Sequence, residues 1–457
     1  QVVRLPADRL THCCDPGTLD FNDTSELQPQ GSPVGQDRVV EAIAFGTGID
    51  RAGYNLYLMG SPGVGKHYLL TRALAARAAH GATPVDRCYV ADFSRPERPN
   101  ALALPAGRGP VLQRDMRQLV EDLLTALPAA FQSEEYRRRS QEIQDEFKRR
   151  EDEVASMLGR HAGERGISLV STPTGFSLLP MKDGKVLSPN EFEALEEEEQ
   201  SRLQESLESL KEELRRTLGR VPLWKRELRQ RLRALDADVT AVTVGQLMVE
   251  LEGRYNDLAD VLDYLGAVRA DVVEHGPSFL PDDGADGPTV DDPRFTRYRV
   301  NLMVDNAGSQ GAPVVYEDNP TYQNLVGRIE HIAQMGTLTT DFTLIRPGAL
   351  HRANGGYLVL DVDKLLQQPF AWNALKRALH GEEIRIEPVG RLFGLVETVS
   401  LEPEPIPLRL KVALVGERHL YYLLKAYDPD FGPLFSVVAD FNEDMPRGAG
   451  REMAYAQ

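Results

Sequence analysis

One stretch of the chain, residues 54–70, combines glycines, a lysine and a short apolar run in a pattern that can bind phosphate. The apolar half predicts a strand, and the alanine- and leucine-rich half predicts a helix that runs to about Ala79. Between them lies a loop of Gly60, Ser61, Pro62, Gly63, Val64, Gly65 and Lys66. Its glycines let backbone N–H groups turn onto phosphate oxygens, the helix N-terminus adds positive potential, and Lys66 adds a charge for the outer phosphates. We therefore predict a nucleotide-binding Walker A loop that extends to His67.

The last residue of this motif departs from the usual pattern. A serine or threonine normally follows the lysine and contributes a hydroxyl oxygen to Mg²⁺, but this chain has His67. Imidazole is a poor ligand for Mg²⁺, which prefers oxygen. The sequence therefore predicts binding of ATP or ADP that is weak or vestigial.

A second stretch, residues 355–361, is an apolar strand that ends in Asp361. A carboxylate at this end of a parallel strand can face the phosphate loop and hold the Mg²⁺ shell, so we predict Asp361 as a Walker B-like residue and candidate Mg²⁺ ligand. The simpler interpretation is a strand that merely leaves the core. An ATPase usually places glutamate next, to orient the attacking water, whereas this chain has Val362. Asp363 would point to the other side if the strand continued.

The surrounding elements predict an α/β fold with a parallel P-loop sheet and helices on both faces. Further strand-like runs stand at residues 87–93, 298–304, 410–416 and 435–441. The first of them is predicted as a buried strand of the same parallel sheet. Residues 94–109, rich in proline and glycine, are predicted as loop, and residues 115–127 as a helix that Pro128 ends.

The middle of the chain, from about residue 131 to 275, is dense in arginine and glutamate and has apolar residues at heptad spacing. It predicts two long helices, at 133–160 and 188–218, that form an antiparallel, coiled-coil-like pair. The alternating run 167–186 between them predicts a small β hairpin at the tip. Strand-like sequence resumes at residue 298, so the helical block interrupts the α/β core. The charge runs themselves are more simply explained as solvated helix faces.

The predicted organisation has five parts. They are an arm or linker at 1–33, a first core part with the loop at 34–130, the helical insertion at 131–296, a second core part at 297–442, and the start of a lid or linker at 443–457. A β-hairpin around residues 388–394 belongs to the second core part.

Composition narrows the class of protein. A chain of 457 residues with 26% charged and 42% hydrophobic residues is expected to form two or three globular domains. No apolar run approaches the roughly 20 residues of a membrane-spanning helix and no signal-peptide pattern opens the chain, so we predict a cytoplasmic location. The net charge of −17 argues against a nucleic-acid groove. Three cysteines predict neither a disulfide framework nor a zinc site, and the first residue, Gln1, predicts a fragment of a longer protein.

The order of these parts resembles the AAA+ module of the Lon-type proteases, in the branch with a hairpin before sensor 1. Residues 318–330 and 346–357 resemble bacterial Lon-like proteases of the LonB/LonC type in particular, and the resemblance covers nearly the whole chain. It implies a homohexameric ring that gates and admits unfolded or damaged polypeptides to a proteolytic chamber. The chamber would be built from a C-terminal serine protease domain with a Ser-Lys dyad. That domain would follow Gln457, so we assign no proteolytic residue to this chain.

Against the family pattern, four departures predict that ATP hydrolysis is weak or lost. Two are His67 and Val362; the others are Glu417-Arg418, where an asparagine would hold the γ-phosphate, and residues 431–435, which lack an arginine finger. Phosphoryl transfer depends almost wholly on positioning and electrostatics, and the finger alone contributes roughly 10³ to 10⁵ in rate.

The sequence leaves three alternatives open. The first is an active ATP-driven protein unfoldase of an ATP-dependent Lon-family protease, in which His67 and Asp363 take substitute roles. The second is a nucleic-acid motor of the related hairpin-bearing branch, which the acidic balance disfavours. The third is a structural coiled-coil adaptor, in which the Walker A loop would have no purpose.

Overall fold

The structure is a computed structural model, and it describes residues 4–7, 17, 21, 23–26, 35–172, 175–182, 184–281, 287–334, 337–387 and 401–444. The chain divides into two compact units, one in residues 1–116 and 296–457 and the other in residues 117–295. The five-part organisation drawn from the sequence stays a prediction. No helix among the described residues is both long enough and apolar enough to cross a bilayer.

The described helices, in chain order, are α1 (Asp37–Gly48), α2 (Lys66–Ala78), α3 (Arg108–Phe131), α4 (Glu134–Glu164), α5 (Pro189–Glu193), α6 (Glu197–Leu218), α7 (Val221–Arg254), α8 (Ala259–Glu274), α9 (Tyr322–Val326), α10 (Ala349–Arg352), α11 (Val362–Gln367), α12 (Ala371–Gly381), α13 (Arg418–Tyr427) and α14 (Phe431–Leu434).

The described strands are β1 (Leu56–Met59), β2 (Asp86–Val90), β3 (Asn100–Leu104), β4 (Ile167–Thr172), β5 (Gly175–Lys182), β6 (Lys185–Val186), β7 (Asn301–Val304), β8 (Val314–Glu317), β9 (Arg328–Ile329), β10 (Ile332–Gln334), β11 (Thr337–Thr339), β12 (Ile345–Arg346), β13 (Tyr357–Asp361), β14 (Glu383–Ile384), β15 (Ile406–Pro407), β16 (Lys411–Gly416) and β17 (Val437–Asp440).

A five-stranded parallel sheet, in the order β17-β1-β16-β13-β8, forms the centre of the first unit. All four residues of β1 are buried, because side chains alternate between two covered faces. Leu56 and Leu58 join the apolar cluster that includes α1 and α2. Tyr57 and Met59 join the opposite cluster, which includes α9 to α14. The predicted α/β core with helices on both faces is confirmed.

Two of the predicted strands belong to a different sheet. β2 and β7 pair antiparallel in a three-stranded sheet of order β3-β2-β7, so the assignment of residues 87–93 to the parallel sheet was wrong. β3 lies inside the stretch predicted as loop, because its small alternating residues are flanked by Pro99 and Pro105. A buried apolar run identifies a strand but does not reveal its neighbours.

Helix α3 continues past the proline that was predicted to end it. Pro128 lies in its last turn, where a proline removes only one intrahelical hydrogen bond. Leu127 and Phe131, in the same part of the helix, are buried, and the Gln132 N–H donates to the carbonyl of Pro128 at 3.0 Å. Burial of these apolar side chains therefore stabilises the helix by more than the hydrogen bond that Pro128 cannot donate.

The second unit contains the charged helices. α4 packs chiefly along α7: the Tyr136 hydroxyl donates to Asp236 at 2.9 Å, and Arg231 pairs with Glu146 at 2.9 Å. α6 meets α4 towards the C-terminal end of α4, where His161 lies 3.0 Å from Glu213. The predicted pair of α4 with α6 was therefore wrong about the main partner, because heptad spacing marks an apolar face but not the helix that covers it. The small β element predicted between these helices is present as the sheet β4-β5-β6.

Several predicted segments fall outside the described residues. These are most of the arm at 1–33, the hairpin turn at 388–394 with the run that follows it to residue 400, and residues 445–457. The strands β14 and β15 pair antiparallel on either side of the hairpin segment.

Candidate phosphate-binding site

The predicted Walker A loop joins the buried strand β1 to the first turn of α2. Gly63 and Gly65 have φ values of 86° and 81°, in the left-handed region that side chains with a Cβ rarely adopt. A Cβ at Gly60 would lie 2.8 Å from the Cβ of Phe441, so this position also requires glycine. Pro62, Gly63, Gly65, Lys66 and His67 line a cleft of about 800 Å³, while Val64 packs against the apolar cluster below.

Lys66 stands in the first turn of α2, folded back over the loop. Its Nζ donates to the carbonyl oxygens of Gly60 at 2.5 Å and Ser61 at 3.0 Å. Burial lowers the pKa of Lys66, and the nearby carboxylates of Glu417 and Asp361 oppose that effect. The Lys66 amine is thus held against the backbone of the loop.

A second set of contacts ties the loop to the end of β17. The Ser61 hydroxyl donates to Glu443 Oε1 at 2.5 Å, and Glu443 also pairs with Arg418. Arg418 further contacts Asp440 at 2.8 Å and donates to the carbonyl of Phe441 at 2.6 Å. These contacts brace the loop against the neighbouring strand, and they engage the guanidinium at the position where a sensor asparagine was expected.

Asp361 ends β13 and is the centre of a four-residue group that we call the Asp361 cluster: His67, Tyr316, Asp361 and Lys364. His67 Nε2 lies 2.7 Å from Oδ1. The Tyr316 hydroxyl donates to Oδ2 at 2.7 Å, and Lys364 Nζ lies 3.0 Å from the same oxygen. Burial raises the pKa of Asp361, but the hydrogen bonds from Tyr316 and Lys364 and the charge of His67 outweigh it, so the pKa is lowered. The carboxylate is therefore held ionised by groups of this chain.

Secondary structure delivers each member of the cluster to one sheet edge. β8 runs beside β13 in a register that sets Tyr316 opposite Val359. α11 begins directly after Asp361, and Lys364 stands three residues on, one helical turn away. The ring of His67, from the first turn of α2, meets the Tyr316 ring edge-on with centroids 5.2 Å apart.

The start of α11 corrects the expectation for Asp363. The chain turns into helix at Val362 instead of continuing as a strand, so Asp363 lines the cleft, as does Glu417. Val362 is 1% exposed and packs in the apolar cluster. The position after Asp361 therefore faces the apolar core and not the cleft.

The segment that lacks an arginine finger is built into an aromatic core. Phe431 and Phe435 stack with centroids 5.5 Å apart, and Tyr57 meets Phe431 edge-on at 5.8 Å. Phe431 and Phe435 are 1% and 2% exposed. These side chains stabilise the fold and present no charge.

Two parts of this chain match the models of known protein families. The description "LonB-like, AAA domain" matches residues 310–442, which contain Asp361, Lys364 and the last strands of the parallel sheet. "Lon-like LonC helical domain" matches residues 86–119, which form β2, β3 and the first half of α3. This chain contains a Lon-like AAA+ module.

The Lon-like module has a curated relative in Escherichia coli (strain K12), described as "Putative Lon protease homolog". The two are 37% identical over 105 residues, which are 23% of this chain and 17% of the relative. The chain thus spans a small part of that relative's length.

Two solved structures of NtrX from Brucella abortus also match. The first is 18% identical to this chain, and the match covers 29% of this chain and 27% of the NtrX chain, with a TM-score of 0.20. The second, in complex with ADP, is 19% identical to this chain, and the match covers 28% of this chain and 25% of the NtrX chain, with a TM-score of 0.19.

The residues of the Lon-like module do not fit a Mg²⁺ ion at Asp361. Mg²⁺ requires near-octahedral oxygen ligands at about 2.0–2.1 Å. Both oxygens of Asp361 already accept from His67, Tyr316 or Lys364, and the usual hydroxyl is replaced by imidazole. Within the described ranges, no group of three or more His, Cys, Asp or Glu side chains is arranged to hold a metal.

Sequence reasoning missed Tyr316, Lys364 and Glu443. Lys364 could have been found from its spacing of three residues after Asp361, had a helix start been recognised at Val362. Tyr316 comes from a neighbouring strand and Glu443 from a distant turn, so no local signal marks either residue. The roles of Gly60 to His67 as nucleotide ligands stay a prediction.

Proposed function

We propose that this chain is the nucleotide-binding AAA+ ring module of a Lon-like serine endopeptidase, which gates and admits polypeptide substrates to a proteolytic chamber with weak or lost ATP hydrolysis. The observation that carries this proposal is the Asp361 cluster. In it the Walker B-like carboxylate is paired with His67 and Lys364, beside an otherwise complete phosphate loop.

Nucleotide binding follows from what the loop retains. The positive-φ glycines, the helix N-terminus of α2 and Lys66 form one wall of the cleft. Such a loop attracts phosphate oxygens through its backbone amides and one point charge. We therefore assign ATP or ADP to this cleft, with affinity lowered by the carboxylates of Asp363 and Glu417 in the same walls.

Loss of hydrolysis follows from what the cleft lacks. Val362 is buried where glutamate would orient water, and Arg418 is engaged by Asp440 and Glu443. Residues 431–435 are apolar and contribute no positive charge to the site of a neighbouring subunit. Because these parts act as a unit in phosphoryl transfer, their joint loss removes most of the catalysis.

The ring, the polypeptide substrates and the Ser-Lys protease domain are further parts of the proposal. They are supported by the match to a LonB-like AAA domain and by the relative in Escherichia coli, of which this chain covers 17%. A homohexamer in the cytoplasm, degrading unfolded or damaged polypeptides, is the assembly that this support favours.

An active ATP-driven unfoldase is the second candidate. The observation in its favour is that Asp363 and Glu417 line the cleft beside Lys66, where either carboxylate could orient a water molecule.

Phosphate release by the full-length hexamer, compared with Lys66→Ala, separates the two candidates. The gating module predicts a rate near background in both proteins. A wild-type rate of about 1 s⁻¹, ordinary for an enzyme, that Lys66→Ala abolishes would establish the unfoldase instead. Lys185→Ala, a lysine on the exposed strand β6 of the helical unit, serves as the matched control.

A further inference from the structure

We propose that His67 and Lys364 replace the divalent cation at this site, so that the cleft takes nucleotide free of Mg²⁺ and Mg²⁺ weakens its binding. This inference rests on the proposed function in one respect, namely that nucleotide binds at the loop. It names the ligand form, uncomplexed ATP or ADP, and the residues that select it.

Both oxygens of the Asp361 carboxylate already have partners. His67 Nε2 stands 2.7 Å from Oδ1, while the Tyr316 hydroxyl and Lys364 Nζ stand 2.7 Å and 3.0 Å from Oδ2. A Mg²⁺ ion about 2.1 Å from either oxygen would share that oxygen with donors already bound to it. Mg²⁺ would therefore compete with these donors, and with the positive charge of Lys364, for Asp361.

The members of the cluster also contact one another. Lys364 also contacts the Tyr316 hydroxyl at 3.2 Å and lies over the Tyr316 ring, 5.7 Å from its centroid. Asp361 itself is 9% exposed. A metal-binding carboxylate gains its counter-charge when the metal arrives, whereas Asp361 has its counter-charges in the folded chain. The charge of Asp361 is thus balanced by groups of this chain.

The charges around Asp361 also favour a nucleotide without Mg²⁺. His67 and Lys364 lie against Asp361, Lys66 lies in the adjoining loop, and lysine side chains are ordinarily cationic at neutral pH. A nucleotide that brings Mg²⁺ would place a divalent cation against these side chains with no free Asp361 oxygen to offset it. Free nucleotide keeps its full negative charge, which these cations attract and which the carboxylates of Asp363 and Glu417 in the same cleft repel only in part. Electrostatics therefore favours the uncomplexed form.

Asp363 and Glu417 are the other carboxylates that face this cleft, so they are included in the test. Glu417 lies 3.1 Å from His419 Nδ1, and both carboxylates act on Lys66. If either were to recruit Mg²⁺, the metal would strengthen nucleotide binding in the wild-type protein, which is the opposite of what we expect.

The decisive experiment is calorimetric titration of ATP and of ADP into the full chain, once in EDTA and once in excess Mg²⁺. We expect binding in EDTA and roughly tenfold weaker binding in Mg²⁺. Stronger binding in Mg²⁺ would overturn this inference and leave nucleotide binding by the module intact. Binding in neither buffer would remove the proposed nucleotide function, and this inference with it, so the two failures give different results.

A double variant, His67→Thr with Lys364→Ala, reverses the response if the inference is right. It frees Asp361 and restores the hydroxyl, so Mg²⁺ should now strengthen ATP binding by about tenfold. His80→Thr with Lys211→Ala makes the same substitutions at exposed positions that are not among the residues lining the cleft, and it should behave as wild type. An unchanged response in the first variant would count against the roles of His67 and Lys364.

A measurement without nucleotide tests the cluster itself. The melting temperatures of wild type, Asp361→Asn, Lys364→Ala and the variant that combines these two substitutions form a thermodynamic cycle. We expect Asp361→Asn to lower the melting temperature by several degrees, non-additively with Lys364→Ala, and Mg²⁺ to leave the wild-type value unchanged. Additive effects, or a rise in the wild-type value with Mg²⁺, would show that the cluster does not substitute for the cation.

Discussion

His67 Nε2 lies 2.7 Å from Asp361 Oδ1, although 294 residues separate the two positions in the chain. The contact joins the first turn of α2 to the carboxyl end of β13. It couples the phosphate loop directly to the strand-end carboxylate, where a P-loop ATPase uses Mg²⁺ to link them.

Lys66→Ala should weaken nucleotide binding while leaving the fold intact. Lys66 Nζ bonds only backbone carbonyls of its own loop among the contacts described, so its loss costs the fold little. A charge-assisted hydrogen bond to phosphate is worth about 1.5–3 kcal/mol, which corresponds to roughly 10- to 100-fold in affinity. Calorimetry with ADP measures this change, with Lys185→Ala as control. Equal affinity in the variant and wild type would place the nucleotide elsewhere.

Val362→Glu should destabilise the protein and should not create a catalytic glutamate. Val362 is 1% exposed and packs in the cluster below the sheet, so a carboxylate there would be buried without a partner. We expect a loss of more than about 3 kcal/mol in the free energy of unfolding. Leu366→Glu, on the same helix but 39% exposed, is the matched control. Denaturant titrations of both variants measure the difference; a stable Val362→Glu protein with new ATP turnover would contradict it.

Arg418→Ala should loosen the phosphate loop. It should not change phosphate release, because we do not assign Arg418 the role of a γ-phosphate sensor. Its guanidinium contacts Asp440, Glu443 and the carbonyl of Phe441, and Glu443 in turn holds Ser61. We expect faster amide hydrogen exchange in residues 60–66 and unchanged, near-background phosphate release. Arg38→Ala, an exposed residue of α1, is the control. A marked fall in phosphate release with unaltered exchange would assign Arg418 to catalysis.

Stability of the first unit should fall with acid because of His351. This side chain is 1% exposed, its Nε2 has no hydrogen-bond partner among the described residues, and burial together with the charge of Arg87 lowers its pKa to about 3. The unfolded chain has the ordinary pKa of 6.5, so it binds the proton first. The stabilising effect of neutral His351 is therefore complete above pH 6.5 and is lost as the pH falls towards 3.

The variant His351→Gln should remove this pH dependence. Relative to it, wild type should lose about 1.4 kcal/mol of unfolding free energy for each pH unit between roughly 6.5 and 5. Urea titrations at several pH values measure the slope, and exposed His80→Gln should retain the wild-type slope. Parallel slopes for wild type and His351→Gln would show that folding leaves the pKa of His351 unchanged.

Consecutive residues of this chain determine the phosphate loop, the strand that ends in Asp361 and the α/β core. The loop needs glycines at positive φ between an apolar run and a helix, and all of these features are read locally. The same holds for the charged helices α4 and α6, whose periodicity is visible in the sequence.

Only the tertiary structure decided which partner covers each face. β2 leaves the parallel sheet for β3 and β7, α4 packs along α7, and Tyr316 and Lys364 converge with His67 on Asp361. Burial periodicity specifies that a face must be covered, but the covering residue comes from anywhere in the chain. The pairing that distinguishes this site from a Mg²⁺ site therefore depends on contacts between α2, β8, β13 and α11, which no single stretch of sequence contains.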